Sequence, residues 1–301
     1  MPKTKEQLRK DEEKKLFKDG KPIPQPTWRE TELEEKAEKS HLIFTIYDET
    51  GNVVRQLTTS PSKGFNRINW DLRYSMPTSV NVNGSFNPVA ESGRRNRGGG
   101  ILVMPGKYKV GMQIWHEGEL TNLVNPVEFT CKKLGNTTLP AANYEENTEF
   151  ARNVSKLAVA VVGTGNLIDE TISKIENIKQ AIYSTPGASQ SLMNKARSLG
   201  KELEELNFKM SGVKAKASTE EIPPAQVPLN SRLGIITYTH MVSTSGITTT
   251  EKQNYEILKE EFPPVLNALK RIVETDIPAL ETELNKIGAP WTTGRLPVWM
   301  E

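Results

Sequence analysis

Apolar positions follow three successive patterns along the chain. Residues 1–40 are dominated by Lys and Glu around the proline-rich run Gly20-Lys21-Pro22-Ile23-Pro24-Gln25-Pro26-Thr27-Trp28. They lack the three-and-four spacing that gives a helix a face to bury. This pattern predicts an exposed helix, a rigid proline linker and a second short helix around Glu30 to Lys39, together a solvated lead-in. Trp28 stands apart, because an aromatic just after a proline segment usually anchors a linker onto a neighbouring surface.

From His41 the period becomes two. Leu42, Phe44 and Ile46 share one face, and the turn signal Glu49-Thr50-Gly51-Asn52 precedes Val53-Val54-Arg55-Gln56-Leu57, which predicts a hairpin. Ile68, Trp70 and Leu72 predict a third strand. After Met104-Pro105-Gly106, the residues Tyr108, Val110, Met112 and Ile114 predict a fourth, and Val127, Phe129 and Cys131 continue the alternation. Short strands with one apolar face and Gly/Pro turns predict a small antiparallel immunoglobulin-like β-sandwich over residues 41–133. Cys131 falls on an inward face, the position of a buried thiol rather than a reactive one. Alternation sets Trp70 and Tyr108 in the core and Trp115 on the opposite face. Residues 75–100 have no period, and a loop of that length is either functional or a mobile excursion.

Past Leu139-Pro140 the period is helical. Phe150, Val154, Leu157, Val161, Ile168, Ile175, Ile178 and Ile182 predict one long helix or two in line, with Gly163-Thr164-Gly165 inside it. Leu192, Ala196, Leu199, Leu203 and Leu206 predict a second. A third is expected near Leu229 to Met241 and a fourth after Thr249-Thr250, with bends at Pro263-Pro264 and Pro278 and a stop at Gly288. Single apolar stripes on antiparallel helices predict an up-and-down four-helix bundle over residues 134–301. The expected class is α+β multidomain: lead-in 1–40, sandwich 41–133 with the loop 75–100, and bundle 134–301.

With 301 residues, 36% of them hydrophobic, and a mean hydropathy of −0.52, the chain suits two modest domains better than one large core. The formal charge of +2 gives no global field for nucleic acid or an anionic membrane. No run approaches the roughly 20 apolar residues of a membrane span, and the N-terminal segment has no apolar stretch of signal-peptide type. Cys131 alone forms no internal disulfide, and with His41, His116 and His240 it does not give zinc-ligand spacing.

Chemistry is sparse. The run Gly93-Arg94-Arg95-Asn96-Arg97-Gly98-Gly99-Gly100 lacks the flanking strand, helix and Lys-Ser/Thr pair of a phosphate loop, and it lacks aromatics for stacking RNA bases. An exposed loop is the plain expectation for it, and docking of Arg94, Arg95 and Arg97 onto an acidic surface is the functional one. Glu202, Glu204 and Glu205 lie opposite the leucines, as solvated charges do. His116 and His240 have no Ser or Cys partner in motif context. Asn83, Asn136 and Asn153 head Asn-x-Ser/Thr triplets, little more than chance gives. The expectation is no catalytic, cofactor-binding or metal-binding residue.

The segment Leu42 to Tyr74, LIFTIYDETGNVVRQLTTSPSKGFNRINWDLRY, followed by Pro105-Gly106-Lys107-Tyr108-Lys109-Val110, resembles the FlgD-like immunoglobulin-type module. Together with the charged lead-in, Ser231-Arg232-Leu233-Gly234 and Asp276-Ile277-Pro278-Ala279-Leu280, it is similar to the C-terminal part of large secreted bacterial proteins. The N-terminal parts of those proteins are sortilin-like Asp-box β-propellers, often labelled glycosyl hydrolases. No Asp-box occurs here, so the resemblance implies a non-catalytic accessory region and transfers no catalytic residue. It implies a secreted, periplasmic or cell-surface parent, with any glycosidase-like activity in a propeller outside the chain. The expected partner is that propeller, met through Trp28 and the loop with Arg94, Arg95 and Arg97. The alternative is a carbohydrate-binding accessory region that stacks glycan on Trp115.

Overall fold

A computed structural model describes residues 3–75, 100–135, 143–213, 225–243 and 245–297. The described residues up to 135 belong to one compact unit and those from 143 onward to a second.

The first unit begins with α1 (Lys5–Lys18) and α2 (Trp28–Lys36). Thr4 and Thr27 cap them through reciprocal boxes with Gln7 and Glu30. Four strands follow: β1 (His41–Tyr47), β2 (Val53–Thr59), β3 (Gly106–His116) and β4 (Glu119–Cys131). They form one antiparallel sheet in the order β2-β1-β3-β4. The first hairpin closes where expected. Asp48 accepts the backbone N–H groups of Thr50 at 3.0 Å and Asn52 at 2.9 Å, while Gly51 supplies a φ of 86°. Glu117 and Gly118, both at positive φ, join β3 to β4 as a two-residue turn matched to the sheet twist.

Apolar alternation places Ile46 and Tyr108 at the centre of a small core with Val54. Trp70 lies edge-on to Tyr108 and Phe129, with ring centroids 5.6 and 6.0 Å away. Cys131 packs against the same cluster, and burial pushes its thiol pKa up.

The strand expected through Ile68, Trp70 and Leu72 does not form. Local turn chemistry overrides the alternation. The Asp71 carboxylate accepts the Arg73 N–H at 3.2 Å, the Trp70 indole N–H donates to the Arg73 carbonyl at 2.9 Å, and Leu72 adopts a φ of 57°. Leu72 is consequently exposed, and pairing in this stretch is limited to a single bridge between Arg73 and Leu102. Among the described residues there is one sheet.

The second unit contains α3 (Tyr144–Tyr183), α4 (Gln190–Ser211), α5 (Leu229–Val242), α6 (Thr249–Arg271), a π-turn at Ile272–Asp276, and α7 (Ile277–Lys286). Asn143, Ser189 and Thr248 cap α3, α4 and α6. The cap of α6 thus falls at Thr248, one residue before the expected Thr249-Thr250, because Thr248 shares a box with Glu251. Glu251 is almost fully buried and accepts the Thr248 N–H and hydroxyl, each at 2.6 Å.

Gly163-Thr164-Gly165 leaves α3 unbroken. Likewise α6 runs through Pro263 and Pro264, and the departure from α geometry sits just before Pro278. There the Ile277 N–H reaches back to the Ile272 carbonyl, a wider turn next to the residue that cannot donate. Gly288, with φ 65°, ends α7, and the Ala289 N–H returns to the Leu284 carbonyl at 3.0 Å.

One continuous core joins these helices. Ile168, Ile175 and Ile178 of α3 meet Leu203 and Met210 of α4, Ile236 of α5, Leu258 and Leu269 of α6, and Leu284 of α7. Full burial of a side chain of this size contributes about 1.5–3 kcal/mol, so the helical stripes account for where this unit folds.

Candidate functional site

Several large apolar side chains of the lead-in are exposed. Neither α1 nor α2 contains a buried residue. Helices of this length are marginal in water without a packed face. Caps and ion pairs order them instead. The Arg9 guanidinium forks onto Glu34, donating at 2.7 and 2.6 Å, and also pairs with Glu13. Glu6 with Lys10 and Lys3 with Asp11 add surface pairs. The hydrogen bond from Arg9 holds the Glu34 carboxyl below the usual carboxylate range, and hydrogen bonds to Glu34 and Glu13 raise the guanidinium further. The N-terminus of α1 is tied to the β3–β4 turn, where Glu117 accepts the Lys5 N–H at 2.9 Å.

On this ordered arm Trp28 is 86% exposed and Phe17 76% exposed, with Leu8 and Leu33 also more than half open. Exposed apolar side chains of this size on a segment with no buried residue are candidates for contact with a partner. Trp28, the candidate anchor, is thus open to solvent. Leu8, Phe17 and Leu33 were missed in the sequence because they are isolated among charges. Their signal was the Leu and Phe within a run that otherwise needs no apolar residue.

Trp115 sits on the sheet face away from Tyr108, as the alternation implies. It is half-buried, tilted against His41 with 6.5 Å between ring centroids, and its indole nitrogen is buried without a hydrogen-bond partner. Arg94, Arg95 and Arg97, the rest of the loop 76–99, Asn83 and Asn136 lie outside the described residues.

Sequence reasoning also missed a Ser–His contact: Ser40 Oγ lies 2.7 Å from His116 Nδ1, joining the start of β1 to the end of β3. No carboxylate is hydrogen-bonded to this histidine among the described residues, so the pair lacks the orienting group of a catalytic triad. Among the described residues there is no group of three or more His, Cys, Asp or Glu that could hold a metal ion, and no helix is long and apolar enough to cross a membrane.

In the helical unit, small residues open a shallow cleft of about 300 Å³ beside Gly165, Asn166, Asn230 and Gly234. A second cleft of about 230 Å³ lies between the end of α3 and the turn after α7. Comparison with known protein families, with curated proteins and with solved structures finds no match to the chain.

Proposed function

We propose that the chain is a non-catalytic docking module, an accessory region of a secreted, periplasmic or cell-surface protein whose partner is a β-propeller. The single observation that carries this reading is the ordered arm. It consists of two capped helices with no buried residue, clamped by Arg9 and Glu34, that hold Trp28, Phe17, Leu8 and Leu33 open to solvent. Trp is among the residues enriched at binding hot spots.

On this reading the sheet unit is one layer of an immunoglobulin-like sandwich. Support comes from its antiparallel hairpins and from the Trp70–Tyr108–Phe129 cluster on one face. The helical unit is an up-and-down four-helix bundle, supported by successive helices that share one core. Glycan recognition by the sheet unit has Trp115 to offer, half-buried with its N–H turned away from solvent. Docking has the open Trp28, and is preferred for that reason.

The test is the affinity of the full chain for the separately produced propeller of its parent polypeptide, with and without Trp28→Ala. A loss of at least about 30-fold is expected, the factor equivalent to the 2 kcal/mol of a hot-spot residue. Unchanged affinity overturns the assignment of Trp28.

A further inference from the structure

The cleft at the end of α3 is lined by amides, hydroxyls and one exposed aromatic. Asn177, Gln180 and Ser184 approach it from α3 and its C-terminal cap, and Trp291, Thr292 and Thr293 approach it from the turn that follows α7. Every side chain lining it is uncharged. The cations beside it on α3, Lys179 and Lys174, are paired with Glu176 at 2.6 Å and with Glu281 at 2.7 Å. Amides and hydroxyls each offer both donors and acceptors, so the lining suits a ligand that carries both on every side.

The aromatic wall is fixed in place. The Trp291 indole N–H donates to the Arg295 carbonyl at 2.6 Å, and the Arg295 guanidinium returns to the Pro290 carbonyl at 2.8 Å and to the Asn285 side chain at 3.1 Å. With its N–H used internally, Trp291 presents a flat carbon face, and the ring is 57% exposed. Beside it Thr292 is only 6% exposed, yet its hydroxyl oxygen has no hydrogen-bond partner. A buried hydroxyl left unsatisfied in the wall of a cleft needs an explanation, and a ligand hydroxyl supplies one.

Charge and size narrow the ligand. An uncharged wall disfavours phosphates, nucleotides and carboxylates, whose binding requires cations or helix N-termini. The volume of about 230 Å³ falls below the roughly 300–1,000 Å³ of sites for drug-sized ligands, so the occupant is a single ring. An apolar face for stacking and hydroxyls around the edge describe a pyranose.

We infer that this cleft binds one neutral sugar ring, stacked on Trp291 and hydrogen-bonded by Asn177, Gln180 and Thr292. The site belongs to the helical unit and shares no residue with the docking arm or with Trp115. It therefore stands or falls independently of the proposed function.

The test uses the full chain, isotopically labelled, and follows backbone and side-chain amide resonances as D-glucose, D-galactose, D-mannose and N-acetyl-D-glucosamine are added separately. Titration runs to about 100 mM, because a single ring makes few contacts and binds in the millimolar range. At least one sugar is expected to give saturable shifts centred on Asn177, Gln180, Thr293 and the Trp291 indole N–H. Trp291→Ala is expected to weaken that sugar by about tenfold or more, and Thr292→Val, which keeps the side-chain shape, by several-fold. If Trp291→Ala disturbs the turn, Asn177→Ala on the helix decides the matter by the same measure. The inference is overturned if none of the four sugars shifts these resonances, or if the shifts persist unchanged in Trp291→Ala and Asn177→Ala.

Discussion

Truncating Trp70 to Ala removes the piece that takes the place of the expected third strand. Trp70 makes two edge-on ring contacts, with Tyr108 and Phe129, and its indole N–H closes the turn onto Arg73. Trp→Ala in a core costs about 3–5 kcal/mol, and because Trp70 is only partly buried the low end applies. A loss of about 3 kcal/mol is a large fraction of the roughly 5–15 kcal/mol that stabilises an ordinary domain. For an m-value of about 1–2 kcal/mol/M in urea, the midpoint of the sheet unit falls by about 1.5–3 M. The assay is urea unfolding of the full chain, with the sheet unit followed by amide resonances of β1 and β3 and the helical unit by circular dichroism at the helix band. Two units need two probes, since one midpoint would average them. Trp28→Ala is the control. With 86% of its surface exposed, Trp28 hides about 35 Å², equivalent to under about 1 kcal/mol. The reasoning is refuted if Trp70→Ala moves the sheet-unit midpoint no further than Trp28→Ala does.

Further outcomes follow from other positions. Ile175, fully buried where α3 meets α4, is expected to cost about 2–5 kcal/mol as Ile175→Ala, lowering the helical transition and leaving the sheet unit unmoved. Two glycines with open space around them should respond with opposite signs. Gly163→Ala inside α3 stabilises by about 0.5–1 kcal/mol, whereas Gly288→Ala at φ 65° destabilises by about 1–2 kcal/mol, and thermal unfolding of the pair checks the signs. The Glu34 carboxyl is held low by Arg9, so the clamp contributes fully above the ordinary carboxylate range and is lost as pH falls through the lowered folded value. A carboxyl-carbon titration of Glu34 should move up in Arg9→Ala, and identical midpoints in the two proteins would refute the clamp.

Periodicity made the helices and the first hairpin legible because burial selects the same residues that repeat. The stripe from Val154 to Ile182 and the Asp48–Asn52 turn stand where the pattern put them. At Leu72 the pattern failed, since two short side-chain-to-backbone bonds at Asp71 and Trp70 outcompete a ladder that alternation alone would favour. The start of β4 went unread for a related reason: Glu117-Gly118 is a two-residue turn signal that the apolar pattern does not register. Bends expected at Pro263 and Pro264 did not interrupt α6, and the adjustment falls instead beside Pro278. On the arm, Trp28 was visible as an aromatic after prolines, but Arg9 and Glu34 are joined across the linker by a contact that no local rule encodes. The sugar-sized cleft was invisible for the same reason, because α3 and the turn after α7 are brought together only by the fold.

The central claim is that this chain works as the docking region of a larger exported protein. The most direct measurement is the size and location of the native polypeptide in its source cells and culture medium, detected with an antibody raised against this chain. The account predicts an exported band much larger than 33.7 kDa, carrying a propeller with the arm against it. A band at 33.7 kDa inside the cell contradicts the account.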